Sequence, residues 1–175
     1  MTLKITDSEI DIKKLLSVKD FNTETKNRIK NSEILIIPKD LNNRAFFPGT
    51  SDFLKSAKKE LSPYQISLCA NMGENSVLLY NSMEEWLPHI FLNINVLNDI
   101  ILPSVINFIT AYIFQKFMAE DKIHFKMTVK SNSKNIDITY DGNVSEFKEI
   151  EKIIEILKEN EKQELLLTME NVIYH

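Results

Sequence analysis

The residues best placed to do chemistry stand at Pro48-Gly49-Thr50-Ser51, where a loop rich in breakers runs into a helical pattern. Backbone N–H groups at a helix start have no partner within the helix. The positive end of the helix dipole lies there too, so the position suits an anion. Lys39 and Arg44 belong to the same loop and would add charge-assisted hydrogen bonds to a phosphate. The candidate ligand site is therefore Lys39, Arg44, Gly49, Thr50 and Ser51. The segment has neither the Gly-Lys-Ser/Thr ending of a P-loop nor the GxGxxG fingerprint of a dinucleotide-binding turn. A Thr or Ser N-cap after a proline turn accounts for the same residues without a ligand.

Other reactive side chains are scattered. His89, His124 and His175 lie far apart along the chain, and no pair has a metal-ligand spacing such as HxxxH. His124 falls on the polar face of an alternating segment, and His89 follows Trp86-Leu87-Pro88. Cys69 is the one cysteine, so an intrachain disulfide and a thiolate-cluster metal site are both ruled out. Set between Leu68 and Ala70 it reads as a buried, inert thiol. Glu84-Glu85 read as a helix start, where carboxylates are favoured by the dipole. No nucleophile elbow occurs. These features predict no catalytic set, no metal site and no cofactor.

The elements that must position these residues follow from periodicity. Ile34 to Ile37 is a continuous apolar run ended by Pro38, the pattern of a strand buried on both faces. Thr50 or Ser51 caps a helix over 51–61 whose apolar face is Phe53, Leu54, Ala57 and Leu61, closed by Pro63. Gln65 to Ala70 alternates as the next strand. Strand, helix and strand form a βαβ unit, which predicts parallel strands and a right-handed crossover. Val77 to Tyr80 reads as a further short strand.

From Met83 to Phe117 the pattern reads as helical and strongly apolar, broken into two or three pieces by Pro88 and Pro103 in their first turns. The uncharged run Ile100 to Gln115 is shorter than the roughly 20 residues a membrane span needs. It reads as a core helix. Ser104, Asn107, Ala111 and Gln115 share one of its faces, which makes that stripe either a thin solvent-facing edge or a helix contact in a homodimer.

Ile123, Phe125, Met127 and Val129 alternate with His124, Lys126, Thr128 and Lys130; after a polar turn Ile136, Ile138 and Tyr140 alternate with Asp137 and Thr139. This predicts an antiparallel hairpin with one buried and one wet face. Asp141-Gly142 then turns the chain, and Asn143 with Glu146 forms a capping box for a helix over 144–157 that buries Phe147, Ile150, Ile153, Ile154 and Leu157.

The 175 residues suit one compact domain, with hydrophobic residues at 43% and charged residues at 26%. Only 3 Gly and 5 Pro occur, so no flexible or Pro-rich linker divides the chain. The expected organisation is an N-terminal extension over 1–32 packed on a domain over 33–160, with a tail over 161–175. The fold class is α/β, with α+β as the alternative. The net charge of −4 and the pI near 5.5 speak against nucleic-acid binding, and the basic group Lys55, Lys58 and Lys59 reads as a solvated helix face. A charged N-terminal stretch without an apolar core predicts no secretory signal, hence a cytoplasmic protein.

In the segments FFPGTSDFLK, LPSVINFITAYIFQKF and TYDGN the chain resembles a group of small uncharacterised bacterial proteins, over roughly residues 34 to 157. These share a Pro-Gly-Thr helix start, an apolar central helix and a hairpin ending in Tyr-x-Gly. The resemblance brings no activity with it; it implies a bacterial protein accessory to a defence or stress system. The functional expectation is a non-catalytic module that associates with itself, as a homodimer, or with another protein. The alternative is a nucleotide- or phosphate-binding protein or enzyme using the crevice at residues 44–51.

Overall fold

The computed structural model describes residues 1–39, 41, 45–71, 73, 76–77, 84–98, 100–131 and 134–173. Elements follow in the order β1 (Thr2–Asp7), α1 (Ile12–Leu16), α2 (Thr23–Asn31), β2 (Ile34–Ile37), β3 (Ala45–Phe46), α3 (Thr50–Glu60), β4 (Ile66–Leu68) and β5 (Ser76–Val77). They continue with β6 (Glu84–Trp86), β7 (His89–Asn95), α4 (Ile101–Lys116), β8 (Lys122–Lys130), β9 (Asn135–Asn143), a 3-10 turn (Val144–Glu146) and α5 (Glu149–Ile173). Among the described residues, seven strands form one mixed sheet in the order β1-β9-β8-β7-β2-β4, with β6 also paired to β8. The α/β class holds. β2, α3 and β4 make the expected unit with parallel strands, and β8 with β9 makes the expected antiparallel hairpin.

Alternation sorts the sheet's side chains onto two faces. One face carries Ile34, Ile36, Ile90, Leu92, Ile123, Phe125, Met127, Val129, Ile136, Ile138 and Tyr140 into the main core. Helix α4 lies in that core with Leu102, Val105, Ile106, Ile109 and Ile113 buried, and Phe53 of α3 meets Phe108 and Tyr112 edge-on at 5.4 and 5.0 Å. Phe147 meets Phe125 and Tyr140 edge-on at 5.4 and 5.1 Å, which docks the start of α5. The other face is only half covered. Leu15 of α1, Phe21 of the following loop and Ile29 of α2 pack on Leu35, Ile37, Phe91 and Cys69 in a second, smaller core.

Residues 84–95 are the main departure from the sequence pattern: β6 and β7 stand where helix was expected. A short apolar run reads equally as buried helix or central strand, and the neighbours decide. β7 lies between β2 and β8, so Ile90 and Leu92 fill one core while Phe91 fills the other. Pro88 sits at a bulge. Between the pairs Trp86–His124 and Ile90–Met127 this side of the ladder has Leu87, Pro88 and His89 against Phe125 and Lys126 of β8. A residue without an N–H is tolerated there because a bulge leaves one position unpaired. Pro103 does lie in the first turn of α4.

Three local expectations are corrected. Gly49, at φ 78°, is the N-cap of α3, and the Thr50 hydroxyl donates to the Phe47 carbonyl at 2.7 Å, so neither Thr50 nor Ser51 caps the helix. Asp141 and Gly142 continue β9 rather than turning the chain. Asn143 makes no side-chain cap; a 3-10 turn intervenes, and α5 starts at Glu149 and runs through the segment read as a tail to Ile173. Of Val77 to Tyr80 only Val77 is described, in β5, paired in parallel with β3; residues 78–80 lie outside the described residues. No helix among the described residues is long and apolar enough to cross a membrane.

Tyr140 and Gly142 explain each other. They share a face of β9, and the Tyr140 ring folds over Gly142 to donate its hydroxyl to the Asn143 carbonyl. A Cβ at 142 would lie 2.9 Å from the Tyr140 oxygen and 3.1 Å from the Met1 Cα. Since Tyr140 is fully buried, the ring has no room to retreat. Gly142→Ala is expected to lower stability by about 1–3 kcal/mol in urea unfolding; an unchanged midpoint would show that the ring is free to move.

Candidate functional site

The uncovered half of the second sheet face forms the floor of a cavity of about 710 Å³. Its floor comes from β7, β8 and β9, and its walls from the segment around α1 and from the stretch after β2. Pairing phase explains why polar side chains meet there. The N–H of Ser131 bonds the Lys134 carbonyl, so by alternation Thr128–Asp137, Lys126–Thr139 and His124–Asp141 are among the non-hydrogen-bonded pairs of the ladder. In such pairs the strands bring opposing side chains closest.

The deepest part is a four-residue network. Asp137 accepts from Thr128 Oγ1 at 2.6 Å and lies 2.6 Å from Lys126 Nζ. His89 Nε2 lies 2.8 Å from Thr128 Oγ1. Burial would raise the Asp137 pKa, but hydrogen bonds from Lys126, Thr128 and Ser8 and the Lys126 charge outweigh it and hold the carboxyl below its ordinary value. A carboxylate only accepts, and Thr128 has one proton, which goes to Asp137. His89 must then donate from Nε2. The trio has the composition of a nucleophilic triad with the proton flow reversed, and Thr128 is fully buried. It is a structural floor, not an acyl-transfer centre.

Nearer the rim, His124 Nδ1 lies 3.2 Å from Asp141 Oδ2, and the His124 ring stacks on Trp86 at 4.1 Å. Trp86 stacks in turn on Phe47 at 5.2 Å, with Lys39 Nζ 5.7 Å from both ring centres. This three-ring ladder ties the loop after β2 to the sheet. An Asp–His pair of this kind orients the imidazole.

Of the residues singled out in sequence, Lys39 lines this cavity, whereas Gly49 and Ser51 are exposed and Thr50 is buried with its hydroxyl engaged. Gly49 belongs to a separate small cleft with Asp52 and Glu85, two carboxylates that oppose an anion. Arg44 lies outside the described residues, as does His175. Asn107, Ala111 and Gln115 are exposed and Ser104 is half-buried, beside a groove shared with α3. Cys69 is buried beside α2, where burial pushes its thiol up to about 12 against a lesser opposing effect of Arg28.

The sequence pattern missed the pairing of His89 with His124 across one cavity. The hairpin alternation held the signal for His124, Lys126, Thr128 and Asp137; that face is not simply wet, because Thr128 and Asp137 are buried. His89 arrives only because β7 is a strand. Comparison with protein-family models, curated proteins and solved structures gives no match.

Burial first, and then the Lys126 charge, lower the His89 pKa from 6.5 to about 4 against the opposing Asp137 carboxylate. Between those values the unfolded chain binds a proton that the folded chain refuses. Stability therefore falls as pH drops from 6.5 and levels off near 4, by about 3 kcal/mol in all. Urea unfolding across this window should show the slope in the parent and lose most of it in His89→Gln; an equal slope in both would remove His89 as its source. Asp137, with its depressed value, contributes only at lower pH.

Proposed function

We propose that this domain binds a small polar organic ligand in the cavity over β8 and β9. The observation that carries this reading is a half-open cavity on the sheet face, furnished with charged and aromatic groups that hold one another in place. An open sheet face needs no such arrangement, since water satisfies its side chains. Here Asp137, Thr128 and His89 form a rigid base below Lys126, and the ladder of Phe47, Trp86 and His124 forms a wall. Fixed polar groups bind with little ordering cost. The lining has both signs, with Lys14, Lys39 and Lys126 against Asp7, Glu9, Asp137 and Asp141, which favours a ligand bearing donors and acceptors over a simple anion. This departs from a phosphate held at residues 44–51, where the described neighbours include Asp52 and Glu85.

Trp86 is the one tryptophan of the chain and stands in the cavity wall, so its fluorescence reports occupancy directly. A panel of amino acids, nucleotides and phosphorylated sugars should contain a compound that changes this emission saturably. His124→Ala should weaken that compound about tenfold, the loss of one net hydrogen bond. A compound whose binding falls with Arg44→Ala but not with His124→Ala would place the ligand at the 44–51 loop and overturn the proposal. So would a panel without any saturable response.

A further inference from the structure

We infer that β1 is a self-association edge, where a second copy of the chain pairs antiparallel through Thr2–Asp7 with its dyad at Ile5. The strand ends the main sheet, and no described residue pairs with its outer side. The opposite edge, β4, has three residues; β1 has six, with no proline and no bulge. Proteins usually blunt so long an edge, because its free N–H and C=O groups template further pairing.

The hydrogen-bond phase determines which groups face outward. Ser8 donates to the Asn135 carbonyl, and β1 pairs with β9 as Asp7–Ile136 and Thr6–Asp137. By alternation Thr2, Lys4 and Thr6 bond to β9, so the N–H and C=O of Leu3, Ile5 and Asp7 point away from it. A two-fold axis normal to the sheet keeps each copy's faces aligned, so residues that oppose one another must share a face. Dyads at Lys4, Ile5 and Thr6 meet this condition. The first sets two Lys4 side chains opposite each other, at the cost of like-charge contact. The last sets each Ile5 against an Asp7 carboxylate and places no two apolar side chains opposite each other. A dyad at Ile5 pairs Ile5 with Ile5 and Leu3 with Asp7 through outward-facing backbone groups, and sets Lys4 against Thr6. It covers Ile5, a large apolar side chain left 42% exposed at the middle of the strand. The two sheets then become continuous, with the α4 stripe playing no part.

Sedimentation velocity of the full chain over a range of concentrations tests this. The expected result is a reversible dimer, with amide exchange at Leu3, Ile5 and Asp7 slowing as dimer forms. Ile5→Pro removes the two central intermolecular bonds while sparing the ladder to β9, since the lost N–H points outward. It should raise the dissociation constant at least about tenfold. Ile5→Lys, which keeps the backbone intact and opposes two charges at the dyad, should do the same and serves if the proline variant fails to fold. A chain that stays monomeric throughout, or a dimer that neither variant weakens, overturns the inference. The cavity lies over the face of β8 and β9 and takes only Asp7 from β1, so the ligand test is independent of the Ile5 variants.

Discussion

The pairing of β8 with β9 is the constraint on which the rest of this molecule depends. Nine residues on each strand oppose one another without a break, and alternation then assigns every side chain to one of two faces. A slip by one residue would carry Ile123, Phe125, Met127 and Val129 out of the main core and bring His124, Lys126 and Thr128 into it. The apolar set makes such a slip costly, so the register is firmly specified. The polar set is fixed by the same event. Its contacts follow from a choice made on the other side of the sheet.

This division explains why a buried charge network can exist without undermining the fold. Asp137 is desolvated, but three hydrogen bonds and a lysine charge compensate it. Breaking any one of those would leave a buried carboxylate short of partners, whereas the intact set is rigid. The main core supplies the stability, through α3, α4 and α5 on one face. The second face is free to carry function because α1 and α2 cover only its β2 and β4 side, leaving β8 and β9 as a floor.

The central strands have a less obvious role. β7 joins the two halves of the sheet: Phe91 reaches the small core, Ile90 and Leu92 the large one, and His89 the cavity. The bulge at Pro88 lets β6 continue along β8 after β7 has left the ladder, which brings Trp86 beside His124. Without that extra residue Trp86 would have no place in the aromatic wall. Glu161 of α5, hydrogen-bonded to Ser131, ties the long last helix to the hairpin turn.

The amino-acid sequence by itself determined the βαβ unit, the hairpin with its register and the burial of α4, because each rests on local periodicity with an apolar face that has one stable orientation. It also placed Cys69 as a buried thiol, whereas the dependence of Tyr140 on a small residue at 142 emerges only when the ring is seen folded over Gly142. Tertiary structure alone decided residues 84–95, where helix and strand patterns coincide and pairing with β2 and β8 settles the matter. It alone decided the site as well, since His89 and His124 are brought together by the pairing of β7 with β8 and not by spacing along the chain. The Pro48-Gly49-Thr50-Ser51 turn carried the stronger local signal, yet its hydroxyl serves the helix start, while residues that looked solvated by alternation became the floor of a cavity.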